Sequence, residues 1–199
     1  MRTRLILASG SETRQALLRN AGVIFEAETP RVDEALLKAS LLAEDRSPRD
    51  IADALAEMKA ARVADKHPGV MVIGADQTLD HAGRLLSKPE TVDDAVAQIS
   101  TLSGSRHILW SAVVIFDEGK PVWRHIGQVR LQMRELSAGY IEDYVARNWN
   151  SIRHSVGGYK LEEEGVRLFS RIDGSYFDVL GFPLIEVLSY LSLRGEIET

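Results

Sequence analysis

The chain has 199 residues, of which 45% are hydrophobic and 27% are charged, and its formal net charge is −5. The length suits a single domain over residues 1–199, and the negative charge argues against general nucleic-acid binding. The longest apolar runs are too short to span a bilayer, and the absence of cysteine excludes disulfides and thiolate metal sites. Residues 1–8 begin basic and turn apolar, but the apolar part is too brief for a signal peptide, so we expect a cytoplasmic protein.

The first predicted unit is a strand at residues 5–8 followed by a helix at 12–20. Ser9, Ser11 and the free N–H groups at the helix start can face a phosphate, and Arg14 adds a planar cation suited to phosphate oxygens. Many helices begin with a serine cap that binds nothing, so this segment alone favours an ordinary helix start. A second strand is predicted at residues 23–27.

Two helices are predicted next, at residues 35–43 and 48–65. Glu34 directly precedes the first, where a carboxylate is commonly just a favourable first-turn charge. Ser47 and Pro48 are typical of the start of the second. Lys59 lies within it, and a single helical lysine is usually a solvated side chain.

The segment at residues 70–77 is the central strand of the prediction. Four consecutive apolar residues indicate a buried strand, and Gly74 and Ala75 allow a close approach to the backbone. Asp76 follows at the carboxyl end, where ligands bind in open α/β sheets and where a carboxylate can hold a metal or take a proton. A cap or turn role for Asp76 is an equal alternative from this segment alone.

The rest of the chain is predicted to alternate hairpins and helices, with no internal repeat and no linker. A hairpin at residues 79–86 turns at Ala82-Gly83 and leads to Lys88-Pro89. The later predicted elements are a helix reaching 102, paired strands at 107–116 and 122–133, a helix at 138–147, a loop at 148–158, a strand at 166–169, a turn at 172–177 and a last helix ending at 193.

Taken together, the motifs resemble one family, the Maf-like nucleoside triphosphate pyrophosphatases. The resemblance covers nearly the whole chain. It rests on the order and spacing of several short motifs, none of which is specific alone. The matching pieces are Leu7-Ala8-Ser9-Gly10-Ser11 with Arg14, Val32-Asp33-Glu34, Lys59-Ala60, Gly74-Ala75-Asp76, Lys88-Pro89, Leu102-Ser103-Gly104 with His107, Gly157-Gly158-Tyr159 and Gly181-Phe182-Pro183-Leu184.

The resemblance implies an α/β fold with an elongated mixed β-sheet flanked by helices, in two lobes around a deep nucleotide cleft. It implies hydrolysis of a nucleoside triphosphate to the monophosphate and pyrophosphate, with Mg²⁺ or Mn²⁺ as cofactor. It also implies a homodimer. No membrane or nucleic-acid partner is expected.

Carried over residue by residue, Asp76 matches the general base of the family and Glu34 an acidic residue near the metal and the attacking water. Both are candidate metal ligands, and Lys59 and Lys88 complete the candidate catalytic set. The further candidate substrate-binding residues are Ser9, Ser11, Thr13, Arg14, Gln77 and Glu162. A triphosphate needs such cations, because displacement at phosphorus depends on positioning and charge neutralisation.

Gln77 and Glu162 resemble the subgroup of the family that acts on 7-methyl-GTP. An ionised Glu only accepts hydrogen bonds, so it suits guanine, which presents N1–H and an amine side by side. The subgroup has Trp where Thr13 stands, so part of the stacking on a cationic base is missing here. The alternative is that Glu162 is merely the first of three solvated glutamates.

A regulator of septum formation that binds a nucleotide without significant catalysis is the second hypothesis. The carboxylate pair Asp76 and Glu34 favours the enzyme, because a pure binding protein has no need of a base. A P-loop nucleotide-binding protein is excluded, since no Gly-rich loop ending in Gly-Lys-Ser/Thr follows a strand.

Overall fold

The computed structural model describes residues 4–198 and shows a mixed α/β fold built on one seven-stranded sheet. The strands are β1 (Leu5–Ala8), β2 (Glu26–Ala27), β3 (Met71–His81), β4 (Arg84–Leu86), β5 (Arg106–Asp117), β6 (Lys120–Met133) and β7 (Phe169–Asp173). The helices are α1 (Glu12–Asn20), α2 (Glu34–Ala43), α3 (Pro48–Ala64), α4 (Val92–Leu102), α5 (Ala138–Ile152), α6 (Tyr176–Val179) and α7 (Leu184–Leu193), with 3-10 turns at Val156–Gly158 and Glu164–Leu168. The elongated mixed sheet flanked by helices confirms the predicted fold class.

An opening in the sheet lies along one edge of β3. The spatial order of the strands is β2, β1, β3, β5, β6, β7, with β4 also beside β3. β1 pairs in parallel with β3 along residues 71–74, and β4 pairs antiparallel with it along residues 79–81. Residues 75–78 of β3 therefore have β5 on one side and no strand of the described chain on the other. This gap leaves the edge of β3 beside Asp76 without a neighbouring strand.

Helix α3 covers one face of the sheet at unusually close range. Its Ala52, Ala56 and Ala60 are fully buried against β1, β3 and β5. A Cβ at Gly74 would lie 2.2 Å from the carbonyl oxygen of Ala56 and 2.6 Å from the amide nitrogen of Ala60. Only glycine fits there, so Gly74 allows α3 to cross β3 where Lys59 meets the strand.

The opposite face carries two separate apolar clusters, which define the two lobes. Helices α1 and α7 pack over β1 and the first half of β3, around Ile73 and Phe182. Helices α4 and α5 pack over the second half of β3 and over β6 and β7, around Leu79 and Tyr144. The region between these clusters faces the gap in the sheet, so the fold places a cleft there.

Most predicted elements are confirmed, including the first strand, the central strand, both hairpins and helices α1 to α4 and α7. The predicted strand at 23–27 is reduced to Glu26–Ala27, because the Val23 amide instead bonds the Leu18 carbonyl at the end of α1. The predicted loop at 148–158 was also wrong in its first part, since α5 continues to Ile152. Ile152 is buried and Trp149 packs against the same cluster, which extends the helix despite its polar sequence.

The strand predicted at 166–169 begins only at Phe169 and extends to Asp173. A 3-10 turn occupies Glu164–Leu168, and a Cβ at Gly165 would lie 2.4 Å from the Lys160 carbonyl oxygen, so the chain is folded back tightly there. The turn predicted at 172–177 is partly strand and partly the start of α6.

The first three residues of the basic amino-terminal stretch lie outside the described residues. Between residues 4 and 198, no helix combines the length and apolar character needed to cross a membrane.

Candidate active site

A cavity of about 590 Å³ lies between the two lobes, at the gap in the edge of β3. Every candidate site residue predicted from the sequence lines it. They are Ser9, Ser11, Thr13, Arg14, Glu34, Lys59, Asp76, Gln77, Lys88 and Glu162. These residues come from both ends of the chain, so the fold assembles them.

At the centre of the cavity, Lys59 joins two carboxylates. Its Nζ lies 2.5 Å from Oδ1 of Asp76 and 2.9 Å from Oε1 of Glu34. The side chains of Lys59 and Asp76 are each 9% exposed, whereas that of Glu34 is 41% exposed. Oδ2 of Asp76 and Oε2 of Glu34 have no hydrogen-bond partner among the described residues, so each carboxylate keeps one oxygen for a further ligand.

Several charges act on Glu34 at once. Its burial would by itself raise the pKa, but the charges of Lys59, Lys38 and Lys88, with the hydrogen bond from Lys59, lower the pKa overall. Glu34 is therefore ionised at neutral pH. The fold holds an anionic pair in place with a cation between its members.

The start of α1 is built around Ser9, Ser11 and Arg14. The Ser11 hydroxyl caps the helix by accepting from the Arg14 amide, and the Ser9 hydroxyl accepts from the Ser11 amide at 3.2 Å. Arg14 donates from Nε to the Gly181 carbonyl at 2.8 Å and from Nη1 to the Ala75 carbonyl at 3.0 Å. Burial lowers the pKa of Arg14, while the charges of Asp76 and Glu34 oppose that shift.

Arg14 thus has a structural role that the sequence did not indicate. Its bond to Ala75 occupies the backbone edge of β3 that no strand covers, and its bond to Gly181 attaches the loop before α7. Gly181 has φ +83°, a conformation that favours glycine. The guanidinium still borders the cavity, so it combines anchoring with a positive charge at the site.

Lys88 faces the cavity from the loop after β4. Among the described residues it has no hydrogen-bond or ion-pair partner. Partial burial lowers its pKa, the charge of Arg14 adds to that effect, and the charges of Asp76 and Glu34 oppose it. A lysine held near other cations without an anionic partner is suited to receive an anionic ligand.

Gln77 follows Asp76 in β3 and points to the opposite face of the sheet, away from α3. Its Nε2 donates to the Ser111 hydroxyl at 3.0 Å and to the carbonyls of Asp178 and Val179 at 2.9 and 3.0 Å. These acceptors fix the amide orientation, because only the nitrogen can donate to a carbonyl. Oε1 is left as an acceptor beside the cavity.

Glu162 is exposed on the cavity wall and has no hydrogen bond or ion pair with the described residues. The two glutamates that follow it are engaged elsewhere. Glu163 accepts from Ser151 and Lys160, and Glu164 accepts from Arg147. The three glutamates are therefore not equivalent, and the first is the one available to a ligand.

Five further polar residues line the cavity and were not singled out from the sequence: Glu12, Lys38, His154, Ser155 and Lys160. Lys38 could have been found, because it lies four residues after Glu34 on a predicted helix and therefore on the same face. His154 and Ser155 lie within the segment predicted as loop and Lys160 follows it, and periodicity gives no direction for a side chain there.

The carboxylate oxygens of Asp76 and Glu34 suit a hard divalent cation whose other ligands include substrate oxygens. Between residues 4 and 198, no three His, Asp or Glu side chains come together as a complete metal site. Mg²⁺, however, is commonly held by one or two carboxylates, with phosphates and water as the other ligands. The free oxygens of Asp76 and Glu34 meet that requirement.

One family and several relatives match the chain over nearly its whole length. The family described as Maf-like protein matches residues 4–193. A nucleoside triphosphate pyrophosphatase from Ruegeria pomeroyi is 65% identical, and the match covers 98% of this chain and 98% of that protein. A protein of the same name from Roseobacter denitrificans is 62% identical, with 97% of each chain covered. A 7-methyl-GTP pyrophosphatase from Brucella abortus is 42% identical, with 96% of each covered.

Among solved structures, the nucleoside-triphosphatase / dITP/XTP pyrophosphatase from Mycobacterium abscessus gives a TM-score of 0.38 at 18% identity. The match covers 67% of this chain and 75% of that one. A likeness this distant carries no inference about function.

Proposed function

This chain belongs to the Maf-like protein family, and from that membership we propose that it cleaves a guanine-type nucleoside triphosphate between the α and β phosphates. The products would be the nucleoside monophosphate and pyrophosphate, and 7-methyl-GTP is the leading substrate. The coarser assignment, an enzyme of the nucleoside triphosphate pyrophosphatase class, rests on relatives of that name that are 65% and 62% identical over nearly the whole chain.

The arrangement of Lys59 between Asp76 and Glu34 carries the proposal. Lys59 holds Oδ1 of Asp76 at 2.5 Å and leaves Oδ2 free to accept the proton of an attacking water. The water oxygen bonds to the α phosphorus, the bond from that phosphorus to the bridging oxygen breaks, and pyrophosphate leaves with the electron pair. Arg14 and Lys88 neutralise charge on the phosphates.

Asp76 and Glu34 would hold a divalent cation, Mg²⁺ or Mn²⁺, Glu34 through its free oxygen. A carboxylate has about four lone-pair sites on its two oxygens, so Asp76 could contact the ion and keep a lone pair for the proton of the water. Such an ion supplies charge neutralisation and orients the phosphates when bound. When no metal ion is bound, the ammonium of Lys59 contacts both carboxylates and reduces the repulsion between them. The homodimer stays a prediction from the resemblance, and the cytoplasmic location stays a prediction from the sequence.

The base preference rests on Gln77 and Glu162. Gln77 presents a carbonyl oxygen and Glu162 a carboxylate, so the base end of the cavity offers acceptors. Guanine has adjacent donors that complement them, whereas uracil and thymine present a single donor flanked by acceptors. The free state of Glu162, in contrast to Glu163 and Glu164, supports this role.

The test is a product assay on purified protein with 7-methyl-GTP, GTP, dTTP and UTP, with Mg²⁺ or Mn²⁺ and after exhaustive chelation. We expect pyrophosphate and the monophosphate as products, no activity after chelation, and the highest kcat/KM for 7-methyl-GTP. Glu162→Gln should reduce the preference over dTTP and UTP, and Glu163→Gln is the matched control that should not. Orthophosphate as the product would refute the cleavage position. An unchanged substrate ranking in Glu162→Gln would refute the base assignment.

A further inference from the structure

Lys38 is a cavity residue that the resemblance does not assign. It lies on α2, one turn after Glu34, and both side chains face the cavity. Lys38 has no hydrogen bond or ion pair with any other residue in the part of the chain that the structure describes. Its charge also helps to lower the pKa of Glu34, so the ammonium lies within electrostatic reach of that carboxylate.

The cationic side chains of the cavity differ in how many partners they already have within the protein. Lys59 is bound to Asp76 and Glu34, and Arg14 donates to two backbone carbonyls. Lys38 and Lys88 keep their ammonium groups free for a ligand. They reach the cavity from different elements, α2 and the loop after β4, so an anion between them would be contacted from two sides.

Helix α2 is held only loosely by the rest of the fold. None of its residues is buried, and Leu36 is 68% exposed and Leu42 47% exposed. Little apolar contact therefore fixes the helix, and the ion pair from Glu34 to Lys59 is its polar connection to the site. Elements with few buried contacts lie at the low end of local stability, so a ligand contact can change their order.

We propose that Lys38 binds the terminal phosphates of the substrate and that this contact draws α2 onto the bound polyphosphate. This inference deepens the proposed function and rests on it, because a triphosphate is the ligand that brings charge to this end of the cavity. When the pyrophosphate group leaves, negative charge grows on it, and an ammonium from α2 would stabilise that charge.

The test uses inorganic pyrophosphate, which reports on the phosphate end of the cavity without turnover. Titration calorimetry with Mg²⁺ present should show pyrophosphate binding about 10- to 100-fold weaker in Lys38→Ala, the loss expected for one charge-assisted hydrogen bond. Lys38→Arg should stay near wild type. Nucleoside monophosphate binding should not change. Lys120→Ala removes an exposed lysine outside the cavity and is the control.

Hydrogen exchange gives a second readout. Pyrophosphate should slow exchange of the α2 amides in wild type and in Lys120→Ala, and should have little effect on them in Lys38→Ala. Wild-type pyrophosphate affinity in Lys38→Ala would overturn the proposal, as would equal loss of monophosphate binding. If the wild-type chain binds pyrophosphate through Lys38 but hydrolyses no nucleoside triphosphate, the proposed function fails, and only the contact of Lys38 with pyrophosphate is retained.

Discussion

The ammonium of Lys59 lies 2.5 Å from Oδ1 of Asp76, and each side chain is 9% exposed. A buried ion pair of this kind is costly to break, because the remaining charge is left without a full partner. Here Glu34 provides a second anion at 2.9 Å, so Lys59 would retain one partner if Asp76 lost its charge. The Glu34 contact therefore allows the chemistry of Asp76 to be tested without unfolding the chain.

Asp76→Asn should lower kcat by about 10²- to 10⁴-fold, because it removes the proton acceptor and preserves the shape of the side chain. Circular dichroism should show a folded protein with a moderately lower Tm. Turnover near that of wild type would show that another group takes the proton, and Glu34→Gln would then be the next variant to measure.

Lys88→Ala should raise KM and leave Tm unchanged or slightly higher. Lys88 has no partner among the described residues, and burial and the charge of Arg14 already disfavour its charged form. Removing it loses ligand binding and relieves repulsion between cations. Steady-state kinetics and thermal melting distinguish the roles, since a fall in Tm with KM unchanged would make Lys88 structural.

Gly74→Ala should destabilise the fold by about 1–3 kcal/mol, the usual cost of overpacking. The new methyl group would meet the Ala56 carbonyl oxygen and the Ala60 amide nitrogen, which forces α3 and Lys59 away from β3. Activity should fall with stability. Gly139→Ala is the control, because no atom of the described chain lies within 4 Å of a Cβ at that helical position and alanine favours a helix.

Asp178→Asn should raise stability at neutral pH. Burial, and then the charge of Glu186, raise the pKa of Asp178 from 3.8 to about 6, and its buried Oδ1 has no hydrogen-bond partner among residues 4–198. The folded chain therefore binds this proton more tightly than the unfolded chain, so stability falls as the pH rises from about 4 to about 6.

The comparison of Tm between wild type and Asp178→Asn checks this pH dependence. The variant should melt higher at pH 7.5 and at the same temperature as wild type at pH 4. Asp45→Asn is a matched control, since Asp45 is exposed at φ +55°, a conformation that Asn also adopts. An equal effect of both substitutions at pH 7.5 would contradict the assignment to Asp178.

The sequence predicted the elements with clear periodicity or clear end signals. Ser47 with Pro48 marks a helix start that the structure has at that position. The prediction failed where a tertiary contact sets the end of an element. Helix α5 extends to Ile152 because that side chain packs into a buried apolar cluster.

The candidate site was predicted as a set, and the structure brings that whole set to one cavity. What local patterns could not predict is how the members meet. The double ion pair of Lys59 depends on α3 crossing β3 at Gly74, and the orientation of Gln77 depends on carbonyls at the end of α6, about a hundred residues away. Long-range contacts of this kind are fixed by packing, and no local signal records them.

Strands β3 and β5 contribute side chains to all three apolar clusters of the described chain. From β3, Met71 and Ile73 belong to one, Val72 to another and Leu79 to the third, and β5 is divided in the same way. Both lobes pack on the adjacent strands β3 and β5, so unfolding one lobe would expose part of the apolar face of that strand pair. We therefore expect the two walls of the cleft to be lost together, as one cooperative unit, with no half-folded chain that keeps a single wall.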